Sequence, residues 1–120
     1  MVKKYIVNDI VMYKNRIHTI IETLGLNNYE LSYVRNPVNQ AELSGVPLTP
    51  EILEKNGWDK VVCRFLYCRK EFGTLTFRLF DEDYGWTLRC GNQNLIKKVE
   101  FVHELQHLLF GLGINHEMEV

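Results

Sequence analysis

Thr74-Leu75-Thr76-Phe77-Arg78-Leu79-Phe80 carries the clearest structural statement in the chain. Leu75, Phe77 and Leu79 alternate with Thr76, Arg78 and Phe80, so a period of two sets one buried face on a pleated strand. Such a strand belongs to an antiparallel sheet, because parallel strands are covered on both faces and read as continuous apolar runs. Residues 61–69 and 86–90 read as its neighbours, set off by Glu71-Phe72-Gly73 and by the acidic turn Asp81-Glu82-Asp83. Residues 60–90 are therefore expected to form an antiparallel meander.

The N-terminal third shows the same pattern. Asp9-Ile10-Val11-Met12-Tyr13 and Arg16-Ile17-His18-Thr19-Ile20-Ile21-Glu22 read as strands around a tight turn at Lys14-Asn15. A third strand covers residues 29–34, where Tyr29, Leu31 and Tyr33 alternate with Glu30 and Ser32. Residues 1–46 are expected to be this meander followed, from Arg35, by an irregular loop. A short helix is expected over 47–57, with Thr49 as cap, Pro50 at the first position, Glu51 at the positive end and Gly57 as the left-handed stop. A longer helix is expected over 97–112, followed by a tail, 113–120. In it Phe101, Val102, Leu105, Leu108, Leu109 and Leu112 fall on one stripe. The expected fold is a single α+β domain of two antiparallel meanders, with the C-terminal amphipathic helix packed on the sheet.

With 120 residues, 46% hydrophobic, the chain is long enough to bury a core without disulfides or a structural metal. Lys and Arg number 14 against 15 Asp and Glu, and residues 1–60 hold seven of each. That balance argues against a nucleic-acid or membrane-surface field. The start, Met1-Val2-Lys3-Lys4-Tyr5, lacks a secretory apolar stretch, and three cysteines, Cys63, Cys68 and Cys90, fit a reducing compartment. A cytoplasmic, soluble protein is expected.

His103-Glu104-Leu105-Gln106-His107 matches the H-E-x-x-H signature of zinc metallopeptidases. Histidines at i and i+4 on a helix can share one Zn²⁺, with the intervening Glu104 as base toward a zinc-bound water. His116, Glu117 and Glu119 are the candidates for a third ligand. Against this, the helical wheel sets His103 and His107 at about 60° and the apolar stripe at about 240°, placing the histidines opposite the core contact. Only residues 113–120 follow the helix, little chain for a substrate wall. Cys63 and Cys68, five apart on an expected strand, point to opposite faces and add no metal signal. The expectation is therefore no catalytic residue, metal or cofactor, with a zinc hydrolase using His103, Glu104, His107 and His116 as the alternative.

Two resemblances bear on this. Leu48-Thr49-Pro50-Glu51-Ile52-Leu53-Glu54-Lys55-Asn56-Gly57-Trp58 and Val102-His103-Glu104-Leu105-Gln106-His107-Leu108-Leu109-Phe110-Gly111-Leu112 resemble the "P-L-T-x-E-I-L-x-K-x-G-F" and "V-H-x-L-Q-x-L-x-F-A-L" blocks of a family of small proteins of Bacteroides-type gut bacteria and their prophages. That family has no assigned activity. Its pattern often has Gln or another residue in place of Glu104 and Asn in place of His107, which implies that the zinc signature is incidental to a packing helix. A phage or mobile-element setting is the other implication.

Asn8-Asp9-Ile10-Val11-Met12-Tyr13-Lys14-Asn15-Arg16-Ile17-His18-Thr19-Ile20 is similar to the opening hairpin of small barrels of the Tudor or KOW type. The similarity implies a curved, barrel-like first sheet that binds peptide or nucleic acid through exposed aromatic and basic residues, here Tyr13, Lys14, Arg16, Tyr29 and Tyr33. With the charge balanced, a protein is the expected partner, and nucleic-acid binding would be weak and salt-dependent. A homodimer through the polar helix face, where Val99 and Phe110 flank the histidines, is a further expectation.

Overall fold

The computed structural model describes residues 4–120 apart from 63, 65, 83, 84, 91 and 92, and for 93–97 it describes the backbone alone. In chain order the strands are β1 (Ile10–Tyr13), β2 (Arg16–Leu24), β3 (Asn28–Leu31), β4 (Val38–Asn39) and β5 (Ser44–Gly45). Helix α1 (Pro50–Lys55) follows, then β6 (Asp59–Val62), β7 (Leu66–Phe72), β8 (Leu75–Glu82), β9 (Gly85–Cys90), β10 (Gln93–Val99) and helix α2 (Val102–Gly111). Two five-stranded antiparallel sheets and two helices make the fold α+β. The chain divides into two compact units, residues 1–46 with 101–117 and residues 47–100 with 118–120.

In the first unit the strand order is β4-β3-β2-β1-β5, an open sheet that does not close into the barrel that the opening hairpin suggests. Lys14 and Asn15 both adopt positive φ (48° and 62°), the two-residue turn whose twist matches a hairpin. A register shift between Ile20 and Glu22 bulges β2. Tyr5, Val11, Ile20, Tyr29, Leu31, Val38 and Leu43 fill the core.

Two expectations need correcting here. The loop from Arg35 is ordered: it contains β4, a 3-10 turn at Gln40–Glu42 and β5. Asn39 Oδ1 accepts the Ala41 N–H (2.9 Å), and Glu42 Oε2 accepts the Asn39 N–H (3.2 Å). The third strand stops at Leu31, because Ser32 Oγ accepts the Thr19 N–H (2.9 Å) and Tyr33 then turns at φ 61°. Tyr33 therefore leaves the alternation and is exposed.

The longer helix starts at Val102 rather than 97, because residues 93–99 are strand β10 with Val99 opposite Trp86. The Phe101 N–H donates to Glu104 Oε1 (2.9 Å), which satisfies one of the amides left open at a helix start. The Phe101 ring lies on the backbone of Gly45, where a Cβ would come within 2.5 Å of it, so only glycine fits there. The buried arc of α2 consists of Val102, His103, Leu105, Gln106 and Leu109, while Leu112 is exposed. It is rotated by about 75° from the expected stripe.

Gln106 is the reason for that rotation. It is fully buried, its Oε1 accepts the Ile10 N–H (2.9 Å), and its Nε2 donates to the Asn8 carbonyl (2.8 Å) and the His116 carbonyl (3.0 Å). Asn8 C=O and Ile10 N–H are the pair of groups that a neighbouring strand would take, and β5 pairs only with Val11 and Met12. One carboxamide thus continues the ladder where β5 ends.

In the second unit β10-β9-β8-β7-β6 form a continuous meander. The single strand expected over 61–69 is a hairpin of β6 and β7, with Val62 opposite Leu66. Between them no Gly, Pro or Asn marks the reversal in the sequence. Cys68, Phe77, Leu79, Trp86, Leu88 and Val99 are buried. Helix α1 is shorter than expected but capped as expected, with Thr49 Oγ1 accepting the Ile52 N–H (3.2 Å) and Gly57 at φ 87°. Asn56 fastens the tail, Oδ1 accepting the Glu119 N–H (2.8 Å) and Nδ2 donating to the Glu119 carbonyl (2.7 Å). Burial pushes the Cys68 thiol up to about 11, with Glu54 adding to the effect, so the thiol is unreactive. Cys68 and Cys90 are free, and Cys63, Asp83 and Tyr84 lie outside the described residues. Among the described residues no helix is long and apolar enough to cross a membrane.

Gln106→Leu keeps the bulk but leaves the Ile10 N–H and the Asn8 C=O unpaired, at about 1–3 kcal/mol for each buried group. Urea unfolding should show a midpoint lowered accordingly with an unchanged slope; an unchanged midpoint would contradict the clamp.

Candidate functional site

The H-E-x-x-H segment lies within the first unit, and each of its polar residues makes local contacts. His103 is 4% exposed rather than solvated, which corrects the wheel reading. Its ring meets Tyr5 edge-on (centroids 5.0 Å) and lies parallel to Phe101 (5.7 Å, 9°). The carboxylate of Glu104 caps its own helix through Oε1. His107 Nε2 is 2.5 Å from Oδ2 of the fully buried Asp9, which also accepts the Ile6 N–H (2.9 Å). His116 packs on Phe110 (5.0 Å), with Nε2 3.4 Å from the Val7 carbonyl.

A zinc site needs one ring nitrogen from each histidine aimed at a common point, together with a third ligand. Here Asp9 occupies His107 Nε2, and His103 is turned into a pocket of aromatic rings. Among the described residues no group of three or more His, Cys, Asp or Glu stands so as to hold a metal ion. These residues therefore do not fit the zinc centre that the pentapeptide suggests. Neither does Val99 flank the histidines on the helix, since it is buried in β10; Phe110 alone of that pair is exposed.

The cluster has an electrostatic signature of its own. Burial holds the His103 imidazole below its ordinary value, opposed by the nearby Asp9 and reinforced by His107. Burial, with Tyr29 and Asp9, raises the Tyr5 phenol. Tyr5 Oη, Asp9 Oδ1 and His103 Nδ1 are buried without a hydrogen-bond partner among the described residues. Asp9 and Gln106 were the residues hardest to find from sequence. The available signal was a glutamine placed between Leu105 and Leu109, polar at the centre of an apolar arc.

The aromatic and basic residues proposed for binding divide in two. Tyr29 is core: it is fully buried, and its hydroxyl donates to Gln40 Oε1 (2.6 Å). Tyr13 and His18 meet edge-on (5.9 Å) beside the first hairpin, Lys14 Nζ lies 5.3 Å from the Tyr13 ring centre, and Arg16 is exposed. His18 Nδ1 is 2.8 Å from the Ser32 carbonyl, which ties this hairpin to the turn carrying Tyr33 and exposed Arg35. Tyr13, Lys14 and Arg16 thus belong to a hairpin that the His18–Ser32 contact joins to the turn carrying Tyr33. No protein-family model, curated protein or solved structure matches the chain.

Two outcomes follow. His103, held neutral, binds fewer protons in the native state than in the unfolded chain, where imidazole titrates near ~6.5. Its contribution is full above about pH 6.5 and is lost as the pH falls below that toward the depressed native value. Urea unfolding of wild type should therefore weaken on going from about pH 7.5 to 5 more than that of His103→Leu; parallel losses would contradict the assignment. The second outcome concerns metal. Excess Zn²⁺ should leave the thermal midpoint of wild type and His107→Ala unmoved, whereas a rise confined to wild type would restore the zinc reading.

Proposed function

We propose that the protein is a non-enzymatic accessory module that binds a protein partner through the surface formed by the first hairpin and the turn after β3. The observation that supports this best is Tyr33, a wholly exposed aromatic residue held at φ 61° one residue beyond the His18–Ser32 contact. A non-glycine residue in the left-handed region is strained, and such strain concentrates at binding positions. Tyrosine supplies a large, rigid contact surface, and tyrosine and arginine dominate the residues that carry binding energy. Lys14, Arg16 and Arg35 add positive charge, so the partner segment is acidic. The sequence resemblance adds a phage or mobile-element setting.

Selection from a displayed random-peptide library should yield acidic peptides whose affinity falls roughly tenfold or more in Tyr33→Ala and in Arg16→Glu. Failure to select any peptide, or selected peptides that bind both variants as well as wild type, would defeat this reading.

A further inference from the structure

The register of the second sheet brings together residues that are far apart in sequence. Arg69 on β7 stands directly across from Arg78 on β8, and Arg78 directly across from Arg89 on β9. Adjacent strands lie about 4.8 Å apart, and like charges facing each other across a ladder are destabilising. Surface arginines commonly find carboxylates that relieve such repulsion. Here none of the three has an ion-pair partner among the described residues, although Asp59 is opposite Arg69 on the edge strand.

The next row on the same face is aromatic. Tyr67 stands across from Phe80, with ring centroids 5.2 Å apart and planes inclined by 34°, and the Arg89 guanidinium lies 5.1 Å from the Phe80 ring centre. Phe80, Arg89, Asp81 and Glu82 line an open recess of about 300 Å³. The opposite face of these strands carries the buried Cys68, Phe77, Leu79 and Leu88, so the arginines and the Tyr67–Phe80 pair are on the outer side.

We propose that this outer face binds single-stranded RNA, the arginine row taking phosphates and the Tyr67–Phe80–Arg89 stack taking bases. An acidic peptide would satisfy the arginines but has no use for the stack, whereas a nucleotide strand presents a phosphate and a planar base at every step. Exposed Asp59, Glu71 and Glu82 rim the face and accept hydrogen bonds, which a ribose 2′-hydroxyl donates and deoxyribose does not. The near-neutral charge of the whole chain hides this cluster, because these rim carboxylates and other acidic residues balance it in a count. It also makes the binding strongly salt-dependent.

The test is fluorescence anisotropy of a labelled oligouridylate of about ten nucleotides on the full chain at low salt. Wild type should bind, and Arg78→Gln with Arg89→Gln should weaken binding at least tenfold while making the log K against log salt slope shallower by about 1.4. Tyr67→Leu should weaken it by about five- to 150-fold with the slope retained. Tyr33→Ala, the variant that tests the protein-binding surface, should bind RNA like wild type. Circular dichroism melts confirm that each variant is folded, and Arg69→Lys, which keeps the charge, should retain binding if a larger change at the row unfolds the chain. The proposal is overturned by no binding at low salt, by an oligothymidylate bound as tightly as the RNA, by polyglutamate displacing the RNA at equal charge, or by binding that survives loss of the arginines.

Discussion

The bidentate contact between the Gln106 carboxamide and the backbone of Asn8 and Ile10 is the constraint on which the first unit depends. A five-stranded sheet with a two-residue last strand leaves β1 with unpaired backbone groups at its start, and buried groups of that kind are costly. Another strand there would have needed several more residues. The chain supplies one side chain instead, from a helix that follows β1 by about ninety residues. Once Gln106 is placed, the rotation of α2 is fixed, Leu105 and Leu109 turn inward, and His103 and His107 are carried to Tyr5 and Asp9. Asn56 uses the same device in the second unit, where its amide grips the backbone of Glu119.

This accounts for the H-E-x-x-H pentapeptide without a metal. Glu104 caps, Gln106 clamps, His107 pairs with Asp9, and His103 fills an aromatic pocket at the cost of its charge. The spacing of i and i+4 that suits a shared ion equally suits two side chains that must both reach residues 5–9. A motif defined by spacing alone does not separate these uses; whether the side chains converge on a common point does.

Much of the fold was legible because it rests on local chemistry. The period-two alternation around Phe77, the Lys14-Asn15 turn and the Thr49-Pro50 helix start are each decided by neighbouring residues, and they stand as read except that Leu75, at the start of β8, is exposed while Phe77 and Leu79 are buried. What escaped depends on contacts distant in sequence. Val99 looks helical beside Phe101 and Val102, yet it belongs to a strand because Trp86 lies opposite. The buried arc of α2 departs from the apolar stripe because the place of a buried glutamine is decided by Ile10, whose N–H needs an acceptor. The arginine row is likewise invisible in a count of charges, since strand register alone aligns Arg69, Arg78 and Arg89. Of the residues expected to bind, Lys14, Arg16 and Tyr33 are exposed and Tyr13 is half-buried, whereas Tyr29 is held in the core, its hydroxyl donating to Gln40 of the 3-10 turn.

Native-state hydrogen exchange at the Ile10 amide tests the central claim most directly, because that N–H has Gln106 Oε1 as its acceptor. The clamp predicts that in wild type Ile10 exchanges only with global unfolding, and that in Gln106→Met it exchanges by local opening while Ile20, whose N–H donates to the Asp9 carbonyl, stays protected. An Ile10 amide that exchanges freely in wild type, or as slowly in the variant as in wild type, would contradict the account.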